Sequence, residues 1–177
     1  MTVEVGSLSL RRIHPADADR IHEWTSNAEA CRYQAWGPNT EAETEAFVRE
    51  AVRAWQQRPQ RRWIWAVVDG ESLVEGIGEV KQRSSGCAEI SYAVHIDLWG
   101  KGVGTAIGQI LTRWAFEELA SVERVEATCD PRNIGSERVL RKVGMTYEGT
   151  MRHTMLIRDG WRDSKMFSIL RDEWGGR

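Results

Sequence analysis

The sequence predicts an α/β fold in which a mixed, mostly antiparallel, twisted sheet of six to seven strands is flanked by about four helices. Three observations predict it. Short apolar, β-branched runs alternate with stretches of helical periodicity along the whole chain. Several of these runs follow one another across short turns, which is typical of antiparallel pairing. One run leads through a glycine-rich turn into a long helix and then into another strand, which indicates a crossover.

The first half of the chain predicts a strand, helices and an antiparallel meander. A strand is expected over residues 8–13, and Pro15 occupies a tolerated first position of the helix that follows. A second short helical piece is expected through Cys31. Thr40 and Glu43 form a T-x-x-E capping box at the start of the next helix. Three further strands are expected over residues 63–68, 73–80 and 88–94.

The second half contains the crossover and the closing strands. The long helix begins in the glycine-rich turn of residues 99–105, and apolar side chains recur along it at helical spacing. A strand over residues 122–128 precedes a helix that ends before Gly144, a residue type typical of a helix C-terminus. Closing strands are expected over residues 146–156 and 165–170. No repeat, low-complexity run or linker interrupts the sequence, so residues 1–177 are predicted to form a single domain.

Composition excludes several classes of protein. The 177 residues are 41% hydrophobic and 28% charged, which is ordinary for one globular domain. A formal net charge of −2 argues against general nucleic-acid binding. No signal segment, membrane span or C-x-x-C pair is apparent, so we expect a reduced, cytoplasmic protein with no membrane partner. The four histidines show no H-E-x-x-H spacing, so no metal is expected.

The stretch Trp99-Gly100-Lys101-Gly102-Val103-Gly104-Thr105 predicts an anion-binding turn. Glycines let the backbone approach a phosphate, and the free N–H groups at the start of the helix point toward it. Lys101 adds a mobile positive charge. A P-loop is excluded because Lys101 precedes Gly102 and no Lys-Ser/Thr pair follows. A dinucleotide-binding turn is excluded because Ile107 takes the place of the third glycine.

This turn resembles the pyrophosphate loop of the GNAT N-acetyltransferase superfamily, [Q/R]-x-x-G-x-[G/A], with Trp99 in place of Gln or Arg. The form W-G-K-G is similar to the RimJ/RimL-like branch, typified by ribosomal-protein N-terminal acetyltransferases. Asn133-Ile134-Gly135-Ser136 with residues 140–145, and then the tail of residues 159–174, resemble two further motifs in the same order. Met145 replaces a usual phenylalanine. The resemblance covers nearly the whole chain and implies a GNAT-like fold.

The resemblance also implies where acetyl-CoA, as co-substrate, would bind. The cofactor is expected in a split between the strand that ends at Val94, His95 and Ile96 and the strand that begins near Val125. Backbone groups there would bind its pantetheine arm. The residues implied to hold the pyrophosphate are Lys101, Gly102, Val103, Gly104 and Thr105.

Glu89 and Ser136 are the candidate catalytic residues. Glu89 matches a catalytic glutamate that some GNAT enzymes carry on this strand, and burial there would raise its pKa toward the range of a general base. Its alternative role is to pair with an arginine on a neighbouring strand. The resemblance implies that Asn133 and Ser136 contact the cofactor near its thiol end. Ser136 would donate a proton or cap the helix, because Leu140 stands where many members carry a general-acid tyrosine.

The acceptor site is implied to lie between the loop of residues 29–39 and the connection of residues 158–163. Tyr33, Trp36 and Trp161 are the candidate acceptor-binding residues, because aromatic faces cover sugar rings and attract ammonium groups. Packing of the loops is their alternative role. The acidic residues expected to attract a cation are Glu29, Glu41, Asp159 and Asp163. Tyr92 and Tyr147 are expected to lie in the core.

These features favour acetyl transfer to the primary amine of a small cationic molecule, such as an aminosugar of the aminoglycoside type, and hence a role in antibiotic resistance. Acetylation of the N-terminal α-amine of a protein is one alternative. A catalytically silent acyl-CoA-binding module is another. No nucleic-acid partner is expected, and the chain is expected to be a monomer or a homodimer.

Overall fold

The computed structural model describes residues 4–5, 8–71 and 73–175 of the chain. The strands are β1 (Glu4–Val5), β2 (Leu8–Arg12), β3 (Arg62–Val68), β4 (Val74–Gln82), β5 (Cys87–Val94), β6 (Arg124–Cys129), β7 (Thr146–Ile157) and β8 (Gly160–Leu170). The helices are α1 (Ala18–Thr25), α2 (Glu41–Ala54), α3 (Val103–Glu118), α4 (Ile134–Val143) and α5 (Arg171–Trp174). Short 3₁₀ turns at Pro15–Asp17 and Ile96–Leu98 precede α1 and the glycine-rich turn.

The strands form one sheet in the order β1-β2-β3-β4-β5-β6-β8-β7. In the described part of the chain β5 and β6 are parallel, and the other neighbouring pairs are antiparallel. Helices α1 and α2 pack on one face of the sheet, and α3 and α4 pack on the other. The mixed, mostly antiparallel sheet that the sequence predicts is confirmed. The two-residue β1 and the four-residue α5 are additions to it.

Two helix termini follow the local rules that the sequence indicates. The Thr40 hydroxyl accepts the N–H of Glu43 at 3.3 Å, and the Glu43 carboxylate accepts the N–H of Thr40 at 2.7 Å. This reciprocal pair confirms the predicted capping box at the start of α2. Gly144 ends α4 with a φ of 99°, a left-handed conformation that favours glycine.

The prediction of a helical piece through Cys31 is wrong, since residues 28–36 form turns and bends. The Asn27 side chain accepts the N–H of Glu29 at 2.8 Å, which competes with a helical hydrogen bond. The Cys31 thiol donates to the carbonyl of Thr25 at 3.1 Å and so holds the segment against the end of α1. A segment this short also lacks the length to repay helix nucleation.

Strands β5 and β6 separate soon after they meet. They pair over residues 87–89 and 124–126 alone, whereas β4 accompanies β5 as far as Val94. The N–H of His95 still points to β4, where it donates to the carbonyl of Glu75 at 2.8 Å. Because N–H directions alternate along a strand, alternate backbone groups of the last part of β5 face the gap instead. The split that the resemblance implies between these two strands is therefore present.

An apolar cluster on the α3 face of the sheet fixes α3 against β3 and β4, next to this split. On the α3 face, Trp114 packs against Trp63 and Trp65 with ring centroids 5.0 and 4.8 Å apart. A Cβ added to Gly78 would lie 3.1 Å from a methyl group of Leu111, so the glycine allows α3 to approach β4 closely. With α3 anchored in this way, its N-terminus is fixed at the edge of the gap.

Candidate active site

A cavity of about 410 Å³ follows the gap between β5 and β6. It extends from the start of α3, past the first turns of α4, to the loop between α1 and α2. A second cavity of about 80 Å³ lies deeper between the two strands. The two cavities share the lining residues Tyr33, Gln34, Tyr92, Asn133 and Ser136. They therefore form one continuous site with two ends.

The first end, here called the helix end, is formed by Gly102, Gly104 and Thr105 together with Arg138 and Lys142 of α4. Gly102 precedes α3 with a φ of 86°, which favours glycine. Ala106 is the first residue whose N–H bonds back within the helix, to the carbonyl of Gly102 at 3.1 Å. The preceding N–H groups are left free, as at any helix start, and make this end suitable for an anion.

Arg138 and Lys142 belong to the helix end although the sequence motifs do not predict them. They are four residues apart, so they lie on the same side of α4, and both are exposed and line the large cavity. Within the described ranges neither side chain forms an ion pair. Their i, i+4 spacing on the helix that Asn133 begins could have predicted two cations on one side of that helix.

Other predicted cofactor contacts lie outside the cavity walls. Lys101 is exposed, and Val103 packs against the apolar cluster of the α3 face. His95 is buried, and its Nδ1 accepts the N–H of Asp97 at 3.2 Å. Ile96 also lines neither cavity. Val94 does line the large cavity.

The carbonyl of Val94, at the end of β5, accepts a hydrogen bond from another residue of this chain. It accepts the indole N–H of Trp99 at 3.1 Å, and Trp99 itself lines the large cavity. Trp99 stands where the superfamily motif has Gln or Arg, and its indole is 46% exposed. Trp99 therefore lines one side of the large cavity while remaining partly exposed to solvent.

The second end, here called the loop end, is the 80 Å³ cavity. It is lined by Tyr33, Gln34, Ile90, Ser91, Tyr92, Ala127, Thr128, Cys129, Asp130, Asn133, Ser136, Leu140 and Arg162. The Asn133 side chain accepts the N–H of Ser136 at 3.0 Å, which caps α4 and fixes the serine. The hydroxyls of Tyr92 and Ser136 lie 3.3 Å apart, within hydrogen-bond distance.

Tyr92 therefore belongs to the site, while its ring also packs against the apolar cluster of the α3 face, as expected of a core residue. Burial raises the pKa of its hydroxyl to about 12, against the opposing effect of the hydrogen bond to Ser136. Burial likewise raises the pKa of the Cys129 thiol to about 11. Both groups are thus neutral at physiological pH, and Tyr92 can act as a hydrogen-bond donor to Ser136.

Two arginines connect the segments that the sequence analysis assigned to the acceptor site. Arg158 donates to the carbonyl of Cys31 at 3.1 Å, and Arg162 donates to the carbonyl of Tyr33 at 2.9 Å. These hydrogen bonds tie the α1–α2 loop to the β7–β8 hairpin across more than a hundred residues of sequence. The loop consequently covers the loop end of the site.

Of the three predicted acceptor-binding aromatics, the structure brings one into the site. Tyr33 lines both cavities. Trp36 packs edge-on against Trp24, with ring centroids 6.4 Å apart, in the apolar cluster beneath α1 and α2. Trp161 is 61% exposed and stacks on His153, outside both cavity walls.

Glu89 lies on β5 next to the loop end but lines neither cavity. Its carboxylate is 3.6 Å from the Nε of Arg83 and faces Glu126 of β6 in the register of the sheet. Burial raises the pKa of Glu89, and Glu126 adds to the rise, while the charge of Arg83 opposes it. The raised pKa expected of a general base is thus present, and so is an arginine partner, which lies in the β4–β5 turn and not on a neighbouring strand.

The acidic residues expected to attract a cation are mostly engaged elsewhere. Asp159 pairs with Arg132 at 2.5 Å, Glu29 lies 3.7 Å from Arg32, and the Asp163 carboxylate accepts the N–H of His153 at 2.9 Å. Among the residues that the structure describes, no group of three or more His, Cys, Asp and Glu side chains is placed to hold a metal ion. No helix in the same part of the chain has the length and hydropathy to span a membrane.

Comparisons with known proteins agree with this architecture. A family model described as an acetyltransferase (GNAT) domain matches residues 7–146. The uncharacterized N-acetyltransferase YnaD of Bacillus subtilis is 26% identical over 174 residues, which is 98% of this chain and 99% of the relative. The spermidine N(1)-acetyltransferase of Escherichia coli K12 is 26% identical over 176 residues, covering 95% of this chain and 88% of that protein.

A solved structure shows the same fold at lower identity. The ribosomal L7/L12 α-N-protein acetyltransferase RimL, in complex with coenzyme A, superimposes with a TM-score of 0.83 at 18% identity, covering 98% of this chain and 99% of RimL. The resemblance to the RimJ/RimL-like branch inferred from the motifs is therefore confirmed at the level of the fold. The chain belongs to the GNAT superfamily and is an acetyl-CoA-dependent N-acetyltransferase.

Proposed function

We propose that this enzyme transfers the acetyl group to the primary amine of a small molecule, with an aminosugar as the favoured class. One observation carries the proposal. The loop end is a cavity of about 80 Å³ beneath a loop that Arg158 and Arg162 hold to the β7–β8 hairpin. A covered cavity of this size suits the amine-bearing group of a small acceptor, whereas a protein N-terminus needs an open groove.

The helix end supports binding of the donor. Gly102, Gly104 and Thr105 offer backbone N–H groups for a pyrophosphate, and Arg138 and Lys142 add positive charge opposite them. The alternate backbone groups of β5 that face the gap suit a pantetheine arm, which carries amides of its own. The RimL neighbour binds coenzyme A, which agrees with this assignment.

The loop end supports the transfer step. The thioester supplies the acetyl group, and the amine nitrogen forms a bond to the acetyl carbon as the carbon–sulfur bond breaks. Ser136 donates its proton to the departing thiolate and takes a proton from water in turn. Tyr92 assists by donating a hydrogen bond to the Ser136 oxygen, where negative charge develops. Glu89 accepts the amine proton through water, since it borders the loop end without lining it.

The choice of an aminosugar over a polyamine follows from the charges. A polyamine needs several free carboxylates, yet the acidic residues near the loop end are mostly engaged with arginines or backbone. A sugar amine needs one site for its amine and hydrogen-bonding groups for its hydroxyls, which Tyr33, Gln34 and Ser91 provide. An aminoglycoside antibiotic carries several positive charges and suits these contacts less well than a simpler aminosugar.

A thiol-release assay with a panel of acceptors tests the proposal. The panel contains glucosamine, an aminoglycoside, spermidine and short peptides with free N-termini, each at a range of concentrations with saturating acetyl-CoA. We expect kcat/KM for glucosamine or a derivative of it to exceed that for every peptide. Robust acetylation of the peptides with no turnover of sugar amines would instead establish the N-terminal alternative. Preferred turnover of spermidine would establish the activity of the Escherichia coli relative.

A further inference from the structure

Arg162 is a buried cation in the wall of the loop end that the acetyl transfer does not use. Its side chain lies on β8 and is 8% exposed, and it lines the small cavity. One Nη donates to the carbonyl of Tyr33 at 2.9 Å, and the other donates to the hydroxyl of Ser164 at 3.0 Å. Its Nε has no hydrogen-bond partner among the described residues. A buried N–H without a partner is costly, so a group in the cavity that accepted this N–H would be bound favourably.

The positive charge of Arg162 also lacks a carboxylate of its own. Within the described ranges, no carboxylate oxygen lies within 4.0 Å of its nitrogens. The acidic residue in the same cavity wall is Asp130, but both oxygens of Asp130 are already bound by Arg132, at 3.0 and 2.8 Å. Burial would raise the pKa of Asp130, yet the hydrogen bonds from Arg132 hold that pKa below its usual value. Asp130 is therefore a shared counter-ion, committed mainly to Arg132.

A buried guanidinium without a dedicated counter-ion is stabilised by an anion from outside. A guanidinium presents N–H groups in a planar fork that matches the two oxygens of a carboxylate or a phosphate. A small turn of the Arg162 side chain would direct its free Nε–H and one Nη–H to the cavity. Such a turn exchanges one hydrogen bond to a neutral oxygen for a pair of hydrogen bonds to a charged oxyanion.

We propose that the amine acceptor carries an oxyanion, either a carboxylate or a phosphate, and that Arg162 binds it in the loop end. This rests on the proposed function, since it assigns a second recognition group to the same small acceptor. The acceptor is then an amine with an acidic group nearby, and its overall charge is close to neutral. The charges around the loop end agree with this, because a buried cation there repels a polycation.

Binding to the CoA-saturated enzyme tests the proposal without requiring turnover. Calorimetry compares glucosamine with glucosamine 6-phosphate and with muramic acid, which carry the same amine and add a phosphate or a carboxylate. We expect at least one of the two acidic sugars to bind about tenfold or more tightly than glucosamine. The two arms distinguish which oxyanion the site accepts.

Two variants separate anion binding from a merely structural role of Arg162. Arg162→Gln removes the charge but keeps hydrogen-bonding groups, and we expect it to bring the affinity ratio of acidic sugar to glucosamine close to one. Arg162→Lys keeps the charge, and we expect it to retain part of that ratio. A structural role in holding the loop would weaken the three sugars equally and leave the ratio unchanged.

Three outcomes overturn the proposal: glucosamine binding as well as both acidic sugars, no binding of any sugar, or an unchanged ratio in Arg162→Gln. The proposed function is judged separately. Turnover of glucosamine without preference for its acidic derivatives would preserve the small-molecule activity and remove the role given to Arg162. Turnover of peptides alone would remove the proposed function itself.

Discussion

The helix end and the loop end of the site are built in different ways. The helix end depends on backbone N–H groups from a few consecutive residues at the start of α3, with two cations from one neighbouring helix. The loop end is assembled from side chains of the α1–α2 loop, β5, β6, α4 and β8. Backbone groups recognise a feature common to every acyl-CoA, whereas side chains can change from one enzyme to another. On the proposed assignment, backbone groups of the fold bind the donor, and this chain's own side chains bind the acceptor.

The largest expected effect concerns Glu89, which lies just outside the loop end. If Glu89 accepts the amine proton, Glu89→Gln lowers kcat about 10²- to 10⁴-fold with little change in the KM for acetyl-CoA. Because burial raises the pKa of Glu89, the low-pH limb of kcat/KM should lie above the range of an ordinary carboxylate in the wild type. That limb should disappear in the variant.

Glu126→Gln is the matched control for Glu89. The two residues face each other across β5 and β6, and Glu126 pairs with Arg124 at 3.2 Å. We expect this variant to keep its rate near neutral pH and to retain the low-pH limb, which should move to lower pH because the charge of Glu126 no longer raises the pKa of Glu89. Equal effects of the two substitutions, or near-normal turnover of Glu89→Gln, would assign Glu89 to the charge network around Arg83.

The next effect tests the helix end. Thr105→Glu places a carboxylate among the free N–H groups of α3, where it stabilises the helix but repels a pyrophosphate. We expect the Kd for acetyl-CoA to rise about 100-fold, which corresponds to about 2.7 kcal/mol. Thr105→Gln, similar in size but uncharged, should retain most of the affinity, and thermal unfolding should show both variants folded. Affinity within about threefold of the wild type in Thr105→Glu would place the phosphates elsewhere.

A smaller effect is expected at the junction of the two ends. Ser136→Ala should lower kcat about 10- to 100-fold, and Tyr92→Phe less than that, because Tyr92 acts through Ser136. Since the pKa of Tyr92 is about 12, its hydroxyl stays protonated through the usual assay range, so Tyr92→Phe should leave the high-pH limb of the profile unmoved. A rise in the KM for acetyl-CoA with unchanged kcat would reduce Ser136 to a cofactor contact.

The smallest effect separates the cations of α4. Arg138→Ala and Lys142→Ala should each weaken acetyl-CoA binding by about three- to tenfold at low ionic strength, and by less in high salt. Arg141→Ala is the charge-matched control on another side of the helix, where Arg141 pairs with Glu137 at 2.9 Å. Equal weakening in all three variants would indicate a general charge effect rather than direct contact.

The contrast between the two ends also explains what the sequence could predict. The order of elements, the Thr40–Glu43 capping box and the glycine-rich turn are local patterns, and the structure confirms them. The position of Gly102, Gly104 and Thr105 in the cavity wall follows from the glycine-rich pattern. Lys101 does not line the cavity, since a side chain's direction at a turn depends on backbone angles that residue type alone leaves open.

The loop end could not be predicted in the same way, because it is formed by contacts between residues that are far apart in the sequence. Arg162 reaches Tyr33 across 129 positions, and no spacing rule connects them. Trp36 and Trp161 were selected for their aromatic rings, but Trp36 completes an apolar cluster and Trp161 stays outside the cavities. A tyrosine on a strand predicts a core position, and Tyr92 does pack against the apolar cluster of the α3 face. It also reaches the site because the pairing of β5 with β6 ends at Glu89.

Hydrogen–deuterium exchange with and without acetyl-CoA tests the central claim most directly, namely that the donor occupies the gap from β5 to the start of α3. At short labelling times we expect the cofactor to slow exchange in peptides that cover residues 90–94 and 102–106, where backbone groups face the gap or are free. Peptides from β2 and β3, on the far side of the sheet, should exchange unchanged. Cofactor binding by calorimetry with no slowing in either segment would contradict the account.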